Sequence, residues 1–194
     1  MGKIIISDNV TLDGVVQDPA GDEGFRHGGW FTQVGSKARE AVAKAALDEA
    51  TAAEAFLIGR RTYEFLASRW PSRTGELADR LNSFPKYVVS STLEDPEWNN
   101  TRVIKGDPAT EVSKLKQQLK GDIVVPASFQ LVQTLIEHDL IDQLRLTLYP
   151  FVLGAGERLF GETNDKLRLH LVDNRTLGDE LAHVTYEVVR AAQV

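Results

Sequence analysis

The sequence predicts an α/β fold with a mainly parallel sheet and an antiparallel hairpin at its C-terminal edge. Within residues 121–160, an apolar run at 123–125 stops at Pro126-Ala127-Ser128, a helical apolar pattern follows, and strict alternation resumes at 144–148. A strand, a tight turn, a helix and a strand in this order build parallel sheets. A continuous apolar run at 3–7 is typical of a strand that is buried on both faces.

The remaining elements follow from breaks and periodicity. Residues 36–54 are rich in Ala and lack Gly and Pro, which favours a helix. Asp107-Pro108 has the residues that helices prefer at the N-cap and first position. Alternation in the last thirty residues indicates the hairpin. The predicted elements outside the central unit are strand 3–7, helix 36–54, strand 55–58, helix 60–70, helix 75–83, strand 87–89, strand 103–104, helix 107–120 and hairpin strands 167–174 and 181–190.

Composition predicts one soluble globular domain. The chain has 194 residues, of which 42% are hydrophobic and 26% charged, enough for a full core. Its net charge of -6 argues against nucleic acid and acidic membranes as partners. It has no Cys, which suits a reducing compartment, and its N-terminal apolar run is too short for a membrane span. We therefore expect a cytoplasmic protein.

A glycine-rich loop separates the first strand from the first helix. Residues 14–35 contain six glycines and Trp30 next to Gly28-Gly29. Loops of this length in a compact domain are usually functional or disordered. Two interpretations stay open: a loop that folds over a ligand, or a surface loop that one Trp anchors.

Three predicted strand ends carry residues of the same chemical type. They are the segments 59–62 (Gly-Arg-Arg-Thr), 90–92 (Ser-Ser-Thr) and 126–128 (Pro-Ala-Ser). The carboxyl ends of parallel strands face the ligand crevice, and a helix N-terminus there binds anions. Guanidinium groups add forked donors for phosphate. This edge is therefore predicted to bind a cofactor that contains several phosphates.

With these motifs the chain resembles the dihydrofolate reductase fold family, especially the branch with the reductase domains of riboflavin biosynthesis. The resemblance runs nearly end to end, through TLDG (11–14), GRRTYE (59–64), Trp70-Pro71, VVSST (88–92), VIKGD (103–107), ASFQLVQTL (127–135) and YPFVLGAGERLF (149–160). It implies one three-layer domain over 1–194, a homodimer, and an NADPH-dependent reductase. The implied substrate is a pterin- or pyrimidine-like heterocycle, as for dihydrofolate reductase or 5-amino-6-(5-phosphoribosylamino)uracil reductase.

The resemblance also implies which residues form the site. The arginines would hold the 2′-phosphate and pyrophosphate, the serine pair would line the adenine ribose, and the 127–130 turn would meet the pyrophosphate or nicotinamide. The implied cofactor-binding residues are Arg60, Arg61, Thr62, Ser90, Ser91, Lys105, Ala127, Ser128, Phe129 and Gln130. Asp13 and Trp30, with the glycine loop, would cover the nicotinamide and substrate and are the candidate catalytic residues.

The central turn departs from the family pattern, because Pro126-Ala127-Ser128 stands where the family has a glycine pair. Glycine tolerates unusual dihedrals and close backbone approach, so the added side chains would crowd a pyrophosphate. A cis Val125–Pro126 bond is one hypothesis that restores the turn.

The second departure concerns the proton donor, because the sequence does not show which carboxyl group has this role. Four carboxyls lie on the Ala-rich helix: Glu40, Asp48, Glu49 and Glu54. Asp13 is an alternative acid, although an Asp in such a turn often caps its own backbone.

Two other functions stay open. One is a non-catalytic protein that keeps the fold to bind a nucleotide or another small ligand, and the other is a reductase with a flavin in the same cleft. The four His residues lack metal-ligand spacing, so no metal site is predicted. The expected partners are a small-molecule substrate and a second copy of the chain.

Overall fold

Eight strands and five α-helices form in residues 1–162 and 166–190, the part of the chain that this computed structural model describes. The strands are β1 (Lys3–Thr11), β2 (Ala55–Gly59), β3 (Lys86–Val89), β4 (Thr101–Ile104), β5 (Asp122–Pro126), β6 (Gln143–Tyr149), β7 (Leu169–Leu177) and β8 (Leu181–Val188). The helices are α1 (Ser36–Ala52), α2 (Arg60–Ala67), α3 (Glu76–Ser83), α4 (Pro108–Gln118) and α5 (Phe129–Glu137).

All eight strands join one sheet in the order β4-β3-β2-β5-β1-β6-β8-β7. The pairs from β4 to β6 are parallel, and β6, β8 and β7 pair antiparallel. The predicted mainly parallel sheet with a C-terminal antiparallel hairpin is confirmed. β1 lies between β5 and β6, so the central strand–helix–strand unit spans it.

Strand β1 is longer than the sequence predicted. Its paired segment continues past Ser7, the Cα partner of Pro126 at the end of β5, and reaches Thr11 by pairing with β6 alone. Beyond Ser7 the strand therefore has no neighbour on its β5 side. Asp8 and Asn9 lie at this opening.

Two helical layers cover the sheet, which confirms the α/β layering. On one face, Val112 and Leu115 of α4 and Leu131, Val132 and Leu135 of α5 pack on β1, β5 and β6. On the other face, Ala50 of α1 and residues of α2 and α3 pack around Ile58 and Val88. Burial of these apolar surfaces drives the assembly, at about 25 cal/mol per Å².

Helix α4 begins as its sequence predicts. The Asp107 side chain accepts a hydrogen bond of 2.9 Å from the Thr110 amide, and Pro108 occupies the first turn. The cap satisfies a backbone donor that the helix cannot pair.

Asp18 and Trp30 organise the glycine-rich loop. The Asp18 side chain, in a residue that is 3% exposed, accepts hydrogen bonds from the amides of Glu23 and Phe25. Trp30 is 1% exposed; its indole donates to the Gln17 carbonyl at 3.1 Å, and its ring lies edge-on to Tyr149 at 5.2 Å. Trp30 thus anchors the loop, and a role of the loop in covering a ligand stays a prediction.

No helix in residues 1–162 and 166–190 is long and apolar enough to span a membrane.

Candidate functional site

The N-termini of α2 and α5 lie side by side at the carboxyl end of the sheet. The Gly59 amide donates a 3.1 Å hydrogen bond to Ser128 Oγ, and Ser128 Oγ lies 3.0 Å from Thr62 Oγ1. Thr62 Oγ1 in turn donates to the Ala127 carbonyl at 2.9 Å. These bonds fix two turns that are 69 residues apart in the sequence.

Neither helix start has a side-chain cap, and both therefore keep donors for a ligand. The N-cap residues Gly59 and Ser128 make no capping hydrogen bond to the first turn of their own helices. First-turn amides without an internal partner and the positive end of the helix dipole favour anions. A Cβ built on Gly59 meets no atom within 4 Å, so the space above this residue is open.

The central turn forms without glycine and without a cis bond. The described chain contains no cis peptide bond, so the cis Val125–Pro126 hypothesis is wrong. Instead Ala127 adopts φ 47°, a left-handed conformation that usually falls to Gly. The backbone thus reverses before α5 as it would with glycine, at a cost in strain.

The predicted cations lie around this edge with exposed side chains. Arg60 pairs with Glu64 at 3.2 Å, Arg61 approaches Glu23 at 3.9 Å, and Lys105 pairs with Glu94 at 3.2 Å. Exposed pairs of this kind contribute little and open readily for a stronger anionic partner.

The other predicted cofactor residues divide between exposed and internal roles. Ser90 is buried, and its Oγ accepts hydrogen bonds from the amides of Thr92 and Leu93, while Ser91 is exposed. Thr62 and Ser128 are buried in the contact between the two helix starts. The structure thus brings the predicted strand ends to one edge, while Thr62, Ser90 and Ser128 use their hydroxyls within the protein.

Asp13 holds the loop after β1 rather than opening into a cleft. Its carboxylate accepts hydrogen bonds from Thr11 Oγ1 at 2.7 Å and from the amides of Leu153 and Gly154. The Thr11 hydroxyl and these amides lower the pKa of Asp13 to about 2. The carboxylate thus joins its turn to the loop at Leu153 and Gly154 rather than capping only its own backbone. Catalytic roles for Asp13 and Trp30 stay predictions.

A cleft of about 530 Å³ lies between α1 and the sheet and reaches Pro126, immediately before the central turn. Small side chains of α1, among them Ala45 and Ala46, form its roof, and Trp70 lies in its wall. Its floor is polar, where a helix–sheet contact would ordinarily be apolar. The cleft thus opens onto the edge where the helix starts meet.

The floor consists of two rows of polar side chains across β1, β6, β8 and β7. One row follows the register Ser7, Arg145, Thr185, Asp173, and the next follows Asn9, Thr147, His183, Arg175. Alternation places them on the face opposite α5, because a strand's side chains point to alternate faces. The sequence prediction used the alternating leucines of β6 and missed the polar residues between them, whose alternation indicated a polar floor.

Glu49 is the α1 carboxylate that faces into the cleft. It accepts a 2.6 Å hydrogen bond from Ser7 Oγ and a 3.2 Å bond from Arg145, whose guanidinium also binds Asp122 at 3.2 Å. The other three predicted helix carboxylates have different surroundings. Glu40 is exposed, and Asp48 pairs with Lys44. Glu54 lies beyond the end of α1 at Ala52, two residues short of the predicted helix end, and accepts from the amides of Lys120 and Gly121. The structure thus separates four carboxyls that the sequence left equivalent.

Asp8 places a buried carboxyl at the opening beside the end of β5. One oxygen accepts from the Asn9 amide at 2.8 Å, and the other is buried without a partner in the described part of the chain. Burial raises the pKa of Asp8 to about 7. Its Cα partner on β6 is the core residue Leu146, so this carboxyl lies on the α5 face of the sheet, and a buried oxygen without a protein partner there is a place for a water.

His183 is buried in the floor and lies 3.0 Å from Thr147 through Nδ1. Burial first, and then Arg175, lower the pKa of His183, so the ring is neutral at pH 7. Among the described residues no cluster of His and acidic side chains has the geometry of a metal site.

The comparison with protein families decides the relationship. The model of the RibD C-terminal domain matches residues 2–183. The chain belongs to the RibD C-terminal domain family. Among curated proteins, this RibD-type domain is similar to the uncharacterized protein YyaP of Bacillus subtilis, with 29% identity over 138 residues that cover 69% of this chain and 73% of YyaP.

Solved structures confirm the dihydrofolate reductase-like fold. A putative riboflavin biosynthesis protein from Shewanella sp. PV-4 superposes with TM-score 0.76 at 22% identity and covers 97% of this chain and 99% of its own. The deaminase/5-amino-6-(5-phosphoribosylamino)uracil reductase of Thermotoga maritima superposes with TM-score 0.63 at 14% identity, covering 97% of this chain and 57% of its own. At such identities the likeness concerns the fold.

Proposed function

We propose that this RibD-type domain is an NADPH-dependent oxidoreductase that transfers a hydride to a small pterin- or pyrimidine-like heterocycle. One observation carries the proposal: the cleft under α1 ends at Pro126, next to the paired helix starts at Gly59 and Ser128. A ring in the cleft and a phosphate-anchored cofactor along the strand ends would meet there. Family membership supports the same reaction class.

The residues at the strand ends fit a phosphorylated dinucleotide. Gly59 leaves open space above the two helix starts, and their first-turn amides would receive the pyrophosphate. Arg60 and Arg61 are exposed beside them and would bind the 2′-phosphate, for which Lys105 adds positive charge. The bound nicotinamide would supply the hydride, so the protein supplies mainly position and electrostatics.

The cleft would seat the substrate ring. The alanines of α1 leave space for a flat group. Thr147 and His183 offer hydrogen-bonding groups from the sheet, and Glu49 offers acceptors from α1.

A ligand-binding protein without turnover is the second candidate. The observation that favours it is the ion pair between Glu49 and Arg145, which engages the inward-facing carboxylate of α1. Such a protein would bind NADPH and a heterocycle without consuming either.

Turnover separates the two candidates. Purified protein is incubated with NADPH and a panel of dihydropterins, pyrimidinones and quinone-like acceptors, and loss of the reduced nicotinamide absorbance is followed. Deuterium on the transferred position of NADPH must appear in the reduced product if a hydride moves directly. Binding of both ligands without consumption would support the second candidate and remove the first.

Two further expectations stay part of this proposal. A cytoplasmic location rests on the composition of the chain, and a homodimer rests on the family resemblance; sedimentation of the purified protein tests the homodimer.

A further inference from the structure

We propose that the cleft under α1 selects a heterocycle without phosphate or carboxylate groups, neutral or cationic, and that Glu49 is the residue that excludes anions. The proposal rests on the proposed function for the identity of the site and narrows its substrate class. It separates this chain from a reductase whose substrate carries a phosphoribosyl group.

The charges that line the cleft carry the argument. Its lining contains the carboxyls of Asp48, Glu49 and Asp173 against the guanidinium groups of Arg145 and Arg175. Asp48 pairs with Lys44 at 3.0 Å, and the carboxyl of Asp8, which lies between Ser7 and Asn9 on β1, points to the other face of the sheet. Glu49 and Asp173 then balance the two cations, and Asp122 binds Arg145 from outside the lining. The cleft therefore has no surplus of positive charge for an anion.

Arg145, the less exposed of the two cations of the lining, is already engaged. It binds Glu49 and Asp122, each at 3.2 Å, and its Nε donates to Gln143 at 2.8 Å. An anionic substrate would have to break these bonds and then lie beside two carboxylates. Like charges at this range in a partly dry site cost about tenfold or more in affinity.

No other group of the cleft lining replaces Arg145 as a binding partner for an anionic substrate. Arg175 is exposed and shares its face of β7 with Asp173, and the lowered pKa of His183 keeps that ring uncharged. Arg69, next in sequence to the wall residue Trp70, is bound to Asp22 at 2.7 Å. A phosphate site needs several converging donors, and one exposed guanidinium beside a carboxylate does not supply them.

The two ends of the molecule thus divide the chemistry by charge. Exposed arginines and helix starts serve an anionic cofactor at the strand ends, whereas the cleft offers neutral and acidic groups to its partner. An anionic substrate would therefore be drawn to the cofactor edge rather than into the cleft.

Matched ligand pairs test the proposal by calorimetry. The pairs are pterin with pterin-6-carboxylate, and uridine with uridine 5′-phosphate, titrated into protein saturated with NADP⁺ to block the cofactor edge. The expected result is that at least one neutral member binds, and binds about tenfold or more tightly than its anionic partner.

The variant Glu49→Gln removes the charge and keeps the shape of the side chain. It should narrow the affinity difference within a pair by strengthening binding of the anionic member, whereas Glu40→Gln, at an exposed position of α1 outside the cleft lining, should leave the difference unchanged. Anionic members that bind as tightly as neutral ones, or neutral members that do not bind at all, would overturn the proposal.

The proposed reductase can fail separately. If NADP⁺ does not bind, the cofactor assignment is wrong. Pterin and pterin-6-carboxylate are then titrated into the free protein, because neither compound carries a phosphate that could bind at the cofactor edge.

Discussion

Ser128 Oγ accepts the backbone amide of Gly59 at 3.1 Å and thereby joins the starts of two helices at the carboxyl end of the sheet. The bond satisfies one donor of the β2–α2 turn and leaves the amides of the helical first turns for another partner. Thr62 of α2 contacts Ser128 Oγ and donates to the Ala127 carbonyl, so the geometry of the proposed cofactor edge depends on two buried hydroxyls.

Gly59→Asp should separate stability from cofactor binding. Gly59 has φ -79° and open space around its Cβ, so an Asp fits and can cap α2, which should raise the free energy of unfolding by a few tenths of a kcal/mol or more. The same carboxylate would repel a pyrophosphate and weaken NADPH about a hundredfold. Thermal unfolding and NADPH titration measure the two effects; Gly59→Ser is the neutral control, and unchanged affinity in Gly59→Asp would contradict the assignment.

The hydroxyls of Thr62 and Ser128 should act as one unit. Thr62→Val and Ser128→Ala should each lower the free energy of unfolding by about 1–2 kcal/mol, because each leaves a buried polar partner unsatisfied. The double variant should lose less than the sum by about 0.5 kcal/mol or more. Urea unfolding of wild type, the two single variants and the double variant tests this coupling. Exposed Ser91→Ala is the control, whose free energy of unfolding should change by less than about 0.5 kcal/mol. Strict additivity would show that the two hydroxyls are independent.

Ala127→Gly should stabilise the protein, although glycine usually does the opposite. At φ 47° the Ala side chain is strained, and relief of this strain should exceed the added entropy of the unfolded chain by about 0.5 kcal/mol. Ala43→Gly, at an exposed position of α1, should instead cost about 1 kcal/mol. Unfolding midpoints in urea compare the two; equal losses would mean that the turn carries no strain.

Asp8→Asn should stabilise the protein increasingly as the pH rises. Burial raises the pKa of Asp8 from 3.8 to about 7, so the folded chain holds a proton that the unfolded chain has released. The contribution of the acid to stability is present below its unfolded pKa and is lost as the pH rises through about 7. Thermal unfolding from about pH 4 to about pH 8 should show wild type falling relative to the variant. Exposed Asp95→Asn is the control, and parallel curves for wild type and Asp8→Asn would refute the shift.

Local chemistry predicted much of the fold. The Asp107-Pro108 helix start, the β5–α5–β6 order and the alternating hairpin were each readable because short-range rules and burial agree there. The extension of β1 to Thr11 was not readable, because its polar residues belong to a cleft floor that only the tertiary structure creates.

The site was predicted in part, and the reason for the rest is geometric. Strand ends and helix starts can be placed from sequence, so Gly59, Arg60 and Ser128 fall on one edge as expected. The inward position of Glu49 depends on the rotation of α1 against β6, which the positions of four carboxyls in the sequence do not reveal. Ala127 adopts the left-handed conformation that a glycine would usually supply, and residue propensities do not predict an Ala in this conformation.

The central claim is that the edge at Gly59 and Ser128 binds NADPH through Arg60 and Arg61. Its most direct test is an equilibrium titration of wild type and the Arg60→Ala/Arg61→Ala variant with NADPH and NADH, followed by tryptophan emission, since Trp70 lines the cleft. Exposed Arg39→Ala serves as the charge control. The account predicts that wild type prefers NADPH by about tenfold or more and that the double variant loses this preference while NADH binding changes little. Equal affinity of wild type for the two cofactors, or equal loss of both in the variant, would contradict it.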